Sequence, residues 1–429
     1  MDRDTPDNAR GGGVQGTGKS GARAPEDRRF PRVGDVLPLI AMRSPRITRR
    51  ARLSSVQSLE DLRRRARSAT PRAVFDYVDG GAGAESSLRH NREAFADWDF
   101  LPRVLRDVSV VDSSTSILGV PAALPVILAP TGFTRMMHYA GESAVASAAA
   151  EARLPYVLST LGTTSPGQIS KAAPAGNHWF QLYLWKDRQA SRELLSEAAE
   201  AGFKTLVLTV DTPVMGARLR DARNGLTIPP SLTPRTLLGM TRRPKWWINL
   251  LTTEPLRFAS LSSTDGALAS MVDRTFDASV SLRDLDWLRS EWPGAIVVKG
   301  VLRADDAKDV VGAGANAVAL SNHGGRQLDR AVAPLRQVSE VRQAIGGAAE
   351  LYVDSGITSG ADVVTALALG ADACLVGRYY LYGLMAGGEA GVSTALELLS
   401  REIRRTMQLL GVSRLVEIDS SLVRLREES

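Results

Sequence analysis

Beyond residue 120 the chain alternates short runs of β-branched and aromatic residues with longer Ala-rich stretches of helical spacing. Eight such runs can be read: PVILAPTG, PYVLSTLG, HWFQLYLW, TLVLTVDTP, AIVVKGV, AVALSNHG, LYVDSGI and ACLVGRYY. Strand–helix alternation predicts a parallel α/β sheet, and eight units predict a (β/α)8 TIM barrel. Upstream, SLEDLRRRARSATPRAVFDYVDGGA predicts a helix capped by Ser58, with Glu60 and Asp61 in its first turn, and a second short helix ending near Gly80.

Each apolar run closes on polar or small residues: Thr131, Ser159, Gln181 with Tyr183, Thr209 with Asp211, Lys299, Ser321 with His323, Asp354, and Gly377 with Arg378. In a (β/α)8 barrel the C-terminal strand ends converge on the face that carries the active site. SNHGGRQLD alone reads as a turn, since Asn322, Gly324 and Gly325 tolerate positive φ. Its place after the sixth run puts His323 on the catalytic rim. One interval is anomalous: Thr209 to Lys299 spans 90 residues, whereas Lys299 to Ser321 spans 22. An excursion over about 225–285 therefore follows the fourth strand. It contains RRPKWWINLL, whose Arg242, Arg243 and Lys245 beside Trp246 and Trp247 suit a membrane surface. Equally, the tryptophans could cap the barrel or line a subunit contact.

Charge separates a tail from a body. Through Ser54 there are twelve basic and six acidic residues, which account for the whole net charge of +6 and leave 41 of each sign in the remainder. The body does not suggest a nucleic-acid partner, and the tail, 1–54, reads as basic and largely disordered. Within it GVQGTGKS, Gly13 to Ser20, matches a phosphate-binding loop by letter, but no strand precedes it and no helix follows. DRRFPRVGDVLPLIA has the two arginines of an export signal, but Pro31, Asp35 and Pro38 interrupt it. The single cysteine, Cys374, excludes an intrachain disulfide. A cytoplasmic protein is expected, with peripheral contact at the inner face of the cell membrane as an option.

The ordered series DYVDGGA, APTG, LSTLGT, QLY, TVDTPVMGARLRDARNGLTIPP, VVKGV, SNHGGRQLD, VDSG and VGR resembles the FMN-dependent L-2-hydroxy acid dehydrogenase and oxidase family, over roughly residues 55–424. PRVGDVLPLI and the excursion are most similar to the actinobacterial L-lactate dehydrogenases within it. The resemblance implies FMN as cofactor, a small 2-hydroxy acid as substrate, a quinone or other electron acceptor, and a homo-oligomer, a tetramer. It assigns His323 as the base and Asp211 as the carboxylate that orients it, a pairing expected to raise the histidine pKa. Arg326 and Arg218 match the arginines over the substrate, and Tyr77 and Tyr183 the phenols that bond it. Lys299 matches the lysine facing the flavin N1 and C2 carbonyl edge. Pro130, Thr131, Gly132, Ser159, Gln181, Thr209 and Ser321 match groups around the ring system. Asp354 matches the ribityl-binding carboxylate, and Gly356, Gly377 and Arg378 the phosphate site. No metal is implied.

Three departures accompany the resemblance. DSGIT places Ser355 where a glycine is common and Thr358 where an arginine helps bind phosphate, so FMN is expected to rely on Arg378 and backbone amides. Gly132 replaces an alanine, and Leu161 a tryptophan, which opens space and favours lactate or a larger acid over glycolate. The expected reaction is L-lactate to pyruvate with electrons passed to a quinone. Competing readings are an oxidase using O2 on a larger 2-hydroxy acid, a flavin enzyme modifying a small peptide, and a non-catalytic flavoprotein. The sequence leaves open whether His323 takes the α-proton or the hydroxyl proton.

Overall fold

The computed structural model describes residues 53, 55–225, 243–259 and 276–426. Apart from Leu53, the tail over 1–54, with its phosphate-loop and export-signal look-alikes, lies outside these residues, as does much of the excursion. Eight parallel strands close into a barrel in chain order: β1 (Val126–Leu128), β2 (Tyr156–Ser159), β3 (His178–Leu182), β4 (Thr205–Thr209), β5 (Ala295–Val301), β6 (Ala317–Leu320), β7 (Glu350–Asp354) and β8 (Ala373–Val376). All eight predicted runs are barrel strands. Pairing of Cys374, Leu375 and Val376 with Val126, Ile127 and Leu128 completes the ring.

Alternation along each strand divides two apolar layers. Ile127, Val157, Trp179, Val207, Val297, Tyr352 and Leu375 fill the interior, while Leu128, Leu158, Phe180, Leu208, Val298, Val353 and Val376 meet the surrounding helices. A hairpin, Thr115–Ile117 with Val120–Ala122, inserts Ile117 into the interior at the end where strands begin. Leu118 N–H donates to Glu350 Oε1 there, at 2.8 Å.

Three helices precede the barrel: α1 (Leu59–Ala69), α2 (Arg72–Asp79) and α3 (Ser86–Ala96). α1 begins with the expected Ser58 cap, reciprocated by Asp61, and α2 stops at Gly80. α3 has no cap of its own; Asp329, the last residue of SNHGGRQLD, accepts from Ala84 N–H and Ser87 N–H, both at 2.9 Å. Arg220, just after β4, bonds Asp79 at 3.1 Å and Glu85 at 2.5 Å, tying these helices to the active-site loop.

The excursion tryptophans do not face outward. Pro244 opens a helix, Pro244–Leu251, and helical periodicity turns Trp246, Trp247 and Leu250 toward the barrel while Ile248 and Leu251 point away. Trp246 is 9% and Trp247 5% exposed, against 59% and 63% for Ile248 and Leu251. Trp246 Nε1 donates to Met136 O at 3.1 Å, and the indoles meet edge to face at 4.8 Å. The reading of these two side chains as membrane anchors is therefore corrected in favour of packing on the barrel. No helix among the described residues is long and apolar enough to cross a membrane.

Candidate active site

The interior parity of each strand carries straight into the site. Ser159, Gln181, Thr209, Lys299 and Asp354 each stand two residues beyond an interior side chain, so they too point inward, at the C-terminal end where the apolar filling stops. Together with Pro130, Thr131, Gly132, Gly377 and Arg378, and with Tyr77, Tyr183, Arg218, His323 and Arg326, most of them line one cleft with about 1390 Å³ of empty space, its mouth included. Gln181, Ser321 and Asp211 stand just behind this lining and bond groups in it.

At its centre His323 Nδ1 lies 2.9 Å from Asp211 Oδ1, which assigns the Nδ1–H to Asp211 and leaves Nε2 as the other ring nitrogen. The turn holding the ring is unusual. His323 itself has φ +59°, followed by Gly324 at +65° and Gly325 at +74°, whereas Asn322 stays at −109° and caps the turn through its side chain. A left-handed histidine costs about 1–2 kcal/mol; Ser321 Oγ, accepting from His323 N–H at 2.9 Å, helps hold it. Gly300 explains the approach of Asp211: a Cβ there would sit 2.7 Å from Asp211 Cβ. Gln327 Nε2 donates to Asp211 O and Val214 O at 3.0 and 2.9 Å, and its Oε1 accepts from Gly216 N–H at 3.0 Å. Sequence reading missed Gln327 and Gly300 as positioning residues; only a long-range contact identifies them.

The expected rise in the His323 pKa is not found. Burial pushes it down, Asp211 pulls it up, and Lys299 and Arg218 add to the downward side, leaving it below the ordinary imidazole value of 6.5. Burial opposes the Asp211 charge, but His323 and Lys299 hold its carboxyl below the usual range. The pair is thus a neutral imidazole beside a carboxylate at neutral pH.

Lys299 forms a second buried group. Its Nζ lies 2.9 Å from both Ser321 Oγ and Asp354 Oδ2, and Ser321 Oγ donates to Asp354 Oδ2 at 2.6 Å. Burial works against the ammonium, but Asp354 and Asp211 outweigh it and raise its pKa. Four buried polar atoms of the site have no partner among the described residues: Gln181 Nε2, whose amide oxygen accepts from Ser159 Oγ at 3.0 Å, Thr209 Oγ1, Asp211 Oδ2 and Arg218 Nε. Unpaired polar atoms in so polar a cleft call for a ligand with complementary groups.

On the open side two arginines face one ring: Arg326 Cζ is 4.8 Å and Arg218 Cζ 5.9 Å from the Tyr77 centroid. Arg326 Nη1 donates to Tyr77 O and, at 3.2 Å, to Gly80 O. Burial and the neighbouring Arg218 push its pKa down to about 9, so an anion here relieves both. Tyr183 stacks on Phe276 at 4.6 Å, and burial keeps its phenol protonated. Phe276, at the far end of the excursion, was not anticipated. Gly132 does more than open space: a Cβ there would lie 3.0 Å from Leu161 Cβ, so the two residues are packed as a pair.

The other end of the cleft is made of backbone. Ser355 at φ +88° and Gly356 at +90° form a tight turn after β7 that lines the cleft, and successive N–H groups of such turns are able to form a concavity for an anion. Arg378 donates through Nε to Val78 O (2.8 Å), through Nη1 to Gly324 O (2.9 Å) and through Nη2 to Gly80 O (2.7 Å). Burial lowers its pKa. A buried lysine, unpaired polar atoms at the β3 and β4 ends, and a positive-φ turn with an arginine meet the demands of an isoalloxazine edge at one end and a phosphate at the other.

Residues 66–425 match the model of the FMN-dependent dehydrogenases. A Mycobacterium tuberculosis protein named "Putative L-lactate dehydrogenase" is 51% identical over 393 residues, 91% of this chain and 95% of that one. The L-lactate dehydrogenase of Caulobacter vibrioides (strain NA1000) is 42% identical over 375 residues, 86% and 97% of the two chains. Among solved structures, that of the monotopic membrane protein (S)-mandelate dehydrogenase superposes with a TM-score of 0.83 at 36% identity, covering 87% of this chain and all of the other.

Proposed function

This chain belongs to the FMN-dependent dehydrogenase family, and from that premise we propose that it oxidises L-lactate to pyruvate and passes the electrons to a quinone. The observation that carries the reading is the His323–Asp211 pair at 2.9 Å, set in one cleft with the two arginines at Tyr77. Arg326 and Arg218 take the substrate carboxylate, a planar anion suited to guanidinium forks. Tyr183 donates to the reacting oxygen. His323 Nε2 accepts one proton as the C–H and O–H bonds of the alcohol become a carbonyl, and Asp211 stabilises the imidazolium that results. Bound FMN would supply the acceptor for the electron pair and for the second hydrogen, so that the two-electron oxidation balances. Lys299, Gln181, Thr209, Ser159 and the backbone at Pro130–Gly132 would hold its ring, Asp354, joined to Lys299 through Ser321, its ribityl chain, and Gly356, Gly377 and Arg378 its phosphate.

The quinone assignment draws on the monotopic membrane character of the similar (S)-mandelate dehydrogenase and on Ile248 and Leu251, the exposed apolar groups of the excursion helix. A second reading, oxidation of a larger 2-hydroxy acid with O2 as acceptor, is favoured by the apolar wall of Leu161, Met215 and Phe276 beside Tyr183. Anaerobic stopped-flow bleaching of the flavin by L-lactate, D-lactate and (S)-mandelate, followed by reoxidation with a soluble quinone or with air, separates them. Fast bleaching by L-lactate alone and faster reoxidation by quinone are expected. Bleaching by (S)-mandelate but not L-lactate, with fast reaction with air, would replace the first reading by the second.

A further inference from the structure

The phosphate end of the cleft is short of free cations. Thr358 stands where the resemblance leads one to look for an arginine, and it is committed elsewhere: its N–H and Oγ1 donate to Asp362 Oδ2 at 2.7 and 2.8 Å. A carboxylate is thereby drawn to this end rather than a positive charge. Arg378 has five N–H groups in all, and three of them already serve the carbonyls of Val78, Gly80 and Gly324. A phosphate monoester carries between one and two negative charges near neutral pH, more than the single charge of Arg378 balances, and only two of that residue's N–H groups are left to donate.

We propose that Arg92, on α3, is the second phosphate-binding cation, so that a helix outside the barrel completes the cofactor site. The proposal rests on the placement of the phosphate at the β7–β8 end given above. Arg92 lines the same cleft as Gly356, Thr358, Gly377 and Arg378. Its helix runs directly over the left-handed turn: a Cβ on Gly356 would fall 2.3 Å from Asn91 O and 2.9 Å from the Phe95 ring, so the residues flanking Arg92 touch the turn itself. The root of the side chain is held firmly. Asn91 and Asn322 exchange amide hydrogen bonds at 2.8 and 2.6 Å, both buried, and Asp329 caps the helix start.

The Arg92 guanidinium, by contrast, makes no hydrogen bond or ion pair with any described residue, and its charge acts on Arg378, helping to depress that residue's pKa. Two guanidiniums that repel one another across a turn rich in backbone N–H groups are stabilised together by a dianion between them. The loss of the arginine at position 358 is then compensated from a different element. Because Asn91 is bonded to Asn322, next to the catalytic His323, phosphate binding also firms the turn that carries the base.

The test is the affinity of the full-length chain, freed of flavin by dialysis of the holoenzyme, for FMN and for riboflavin, read by quenching of flavin fluorescence. Wild type, Arg92→Gln, Arg92→Lys and Arg92→Gln combined with Thr358→Arg are compared. Arg92→Gln is expected to weaken FMN roughly 10- to 100-fold, the range of one charge-assisted hydrogen bond, and to leave riboflavin unchanged. Arg92→Lys should recover part of the loss and Thr358→Arg most of it. FMN affinity within twofold of wild type in Arg92→Gln overturns the proposal. An equal fall for FMN and riboflavin overturns it too, by making Arg92 a support of α3 alone. Wild type that binds riboflavin as tightly as FMN would instead overturn the placement of the phosphate on which the proposal rests.

Discussion

The two ends of the cleft are built by different means. At the substrate end, side chains carry the chemistry: an imidazole bonded to a carboxylate, two guanidiniums at one phenol ring, a buried lysine between two carboxylates. Their pKa values are displaced by burial and by each other. At the phosphate end, conformation carries it: two consecutive left-handed residues, Ser355 and Gly356, and an arginine tied to three carbonyls. A side-chain site tolerates no change of residue type, because each group has one geometry and one charge to offer. A backbone site keeps its amides whatever stands next to it, and so can lose an arginine at position 358 and recruit a cation from a neighbouring helix.

The sharpest way to break this contrast is at the base. His323→Gln should retain FMN and substrate binding yet slow flavin reduction by roughly 10²- to 10⁴-fold, the usual worth of a positioned proton acceptor. Near-wild-type bleaching in the anaerobic stopped-flow would remove His323 from that role. Next in size is Arg326→Lys. An ammonium cannot make two parallel bonds to a carboxylate, so the α-carbon loses its fixed position and kcat/KM should fall by about 10²-fold. An unchanged value would transfer the carboxylate to Arg218.

A smaller effect concerns pH. The His323 pKa lies below 6.5 because burial outweighs Asp211, and the base works only when neutral, so the acid limb of kcat/KM should fall below pH 6.5. Asp211→Asn removes the group that pulls the value up, so the limb should move to still lower pH while the rate drops; movement upward would mean the limb belongs to another group. The smallest effect is expected at the phosphate end. Thr358→Ala removes a hydroxyl already given to Asp362, which should cost about 1 kcal/mol of stability and leave FMN affinity within a factor of about two. A large loss of FMN would show that the hydroxyl reaches the phosphate after all.

The sequence by itself determined the barrel, the face that carries the site, and most of the residues at its centre. Strand parity and strand ends are local: once Val207 and Val297 point inward, Thr209 and Lys299 must follow, and the position of the His323 motif directly after an apolar run is enough to put it on the rim. Tertiary structure decided what depends on distance between remote elements. Whether burial or Asp211 wins at His323 is a matter of how much of the chain surrounds the ring, and the answer reversed the expected direction. The side of the Pro244–Leu251 helix taken by Trp246 and Trp247 was set by the Met136 carbonyl and the apolar wall it met, not by the basic residues beside them. Gln327, Gly300 and Arg92 gain their places from contacts with loops or turns up to a few hundred residues away. Periodicity is written in neighbouring residues and can be read from them; desolvation and close approach arise only when the whole chain is packed.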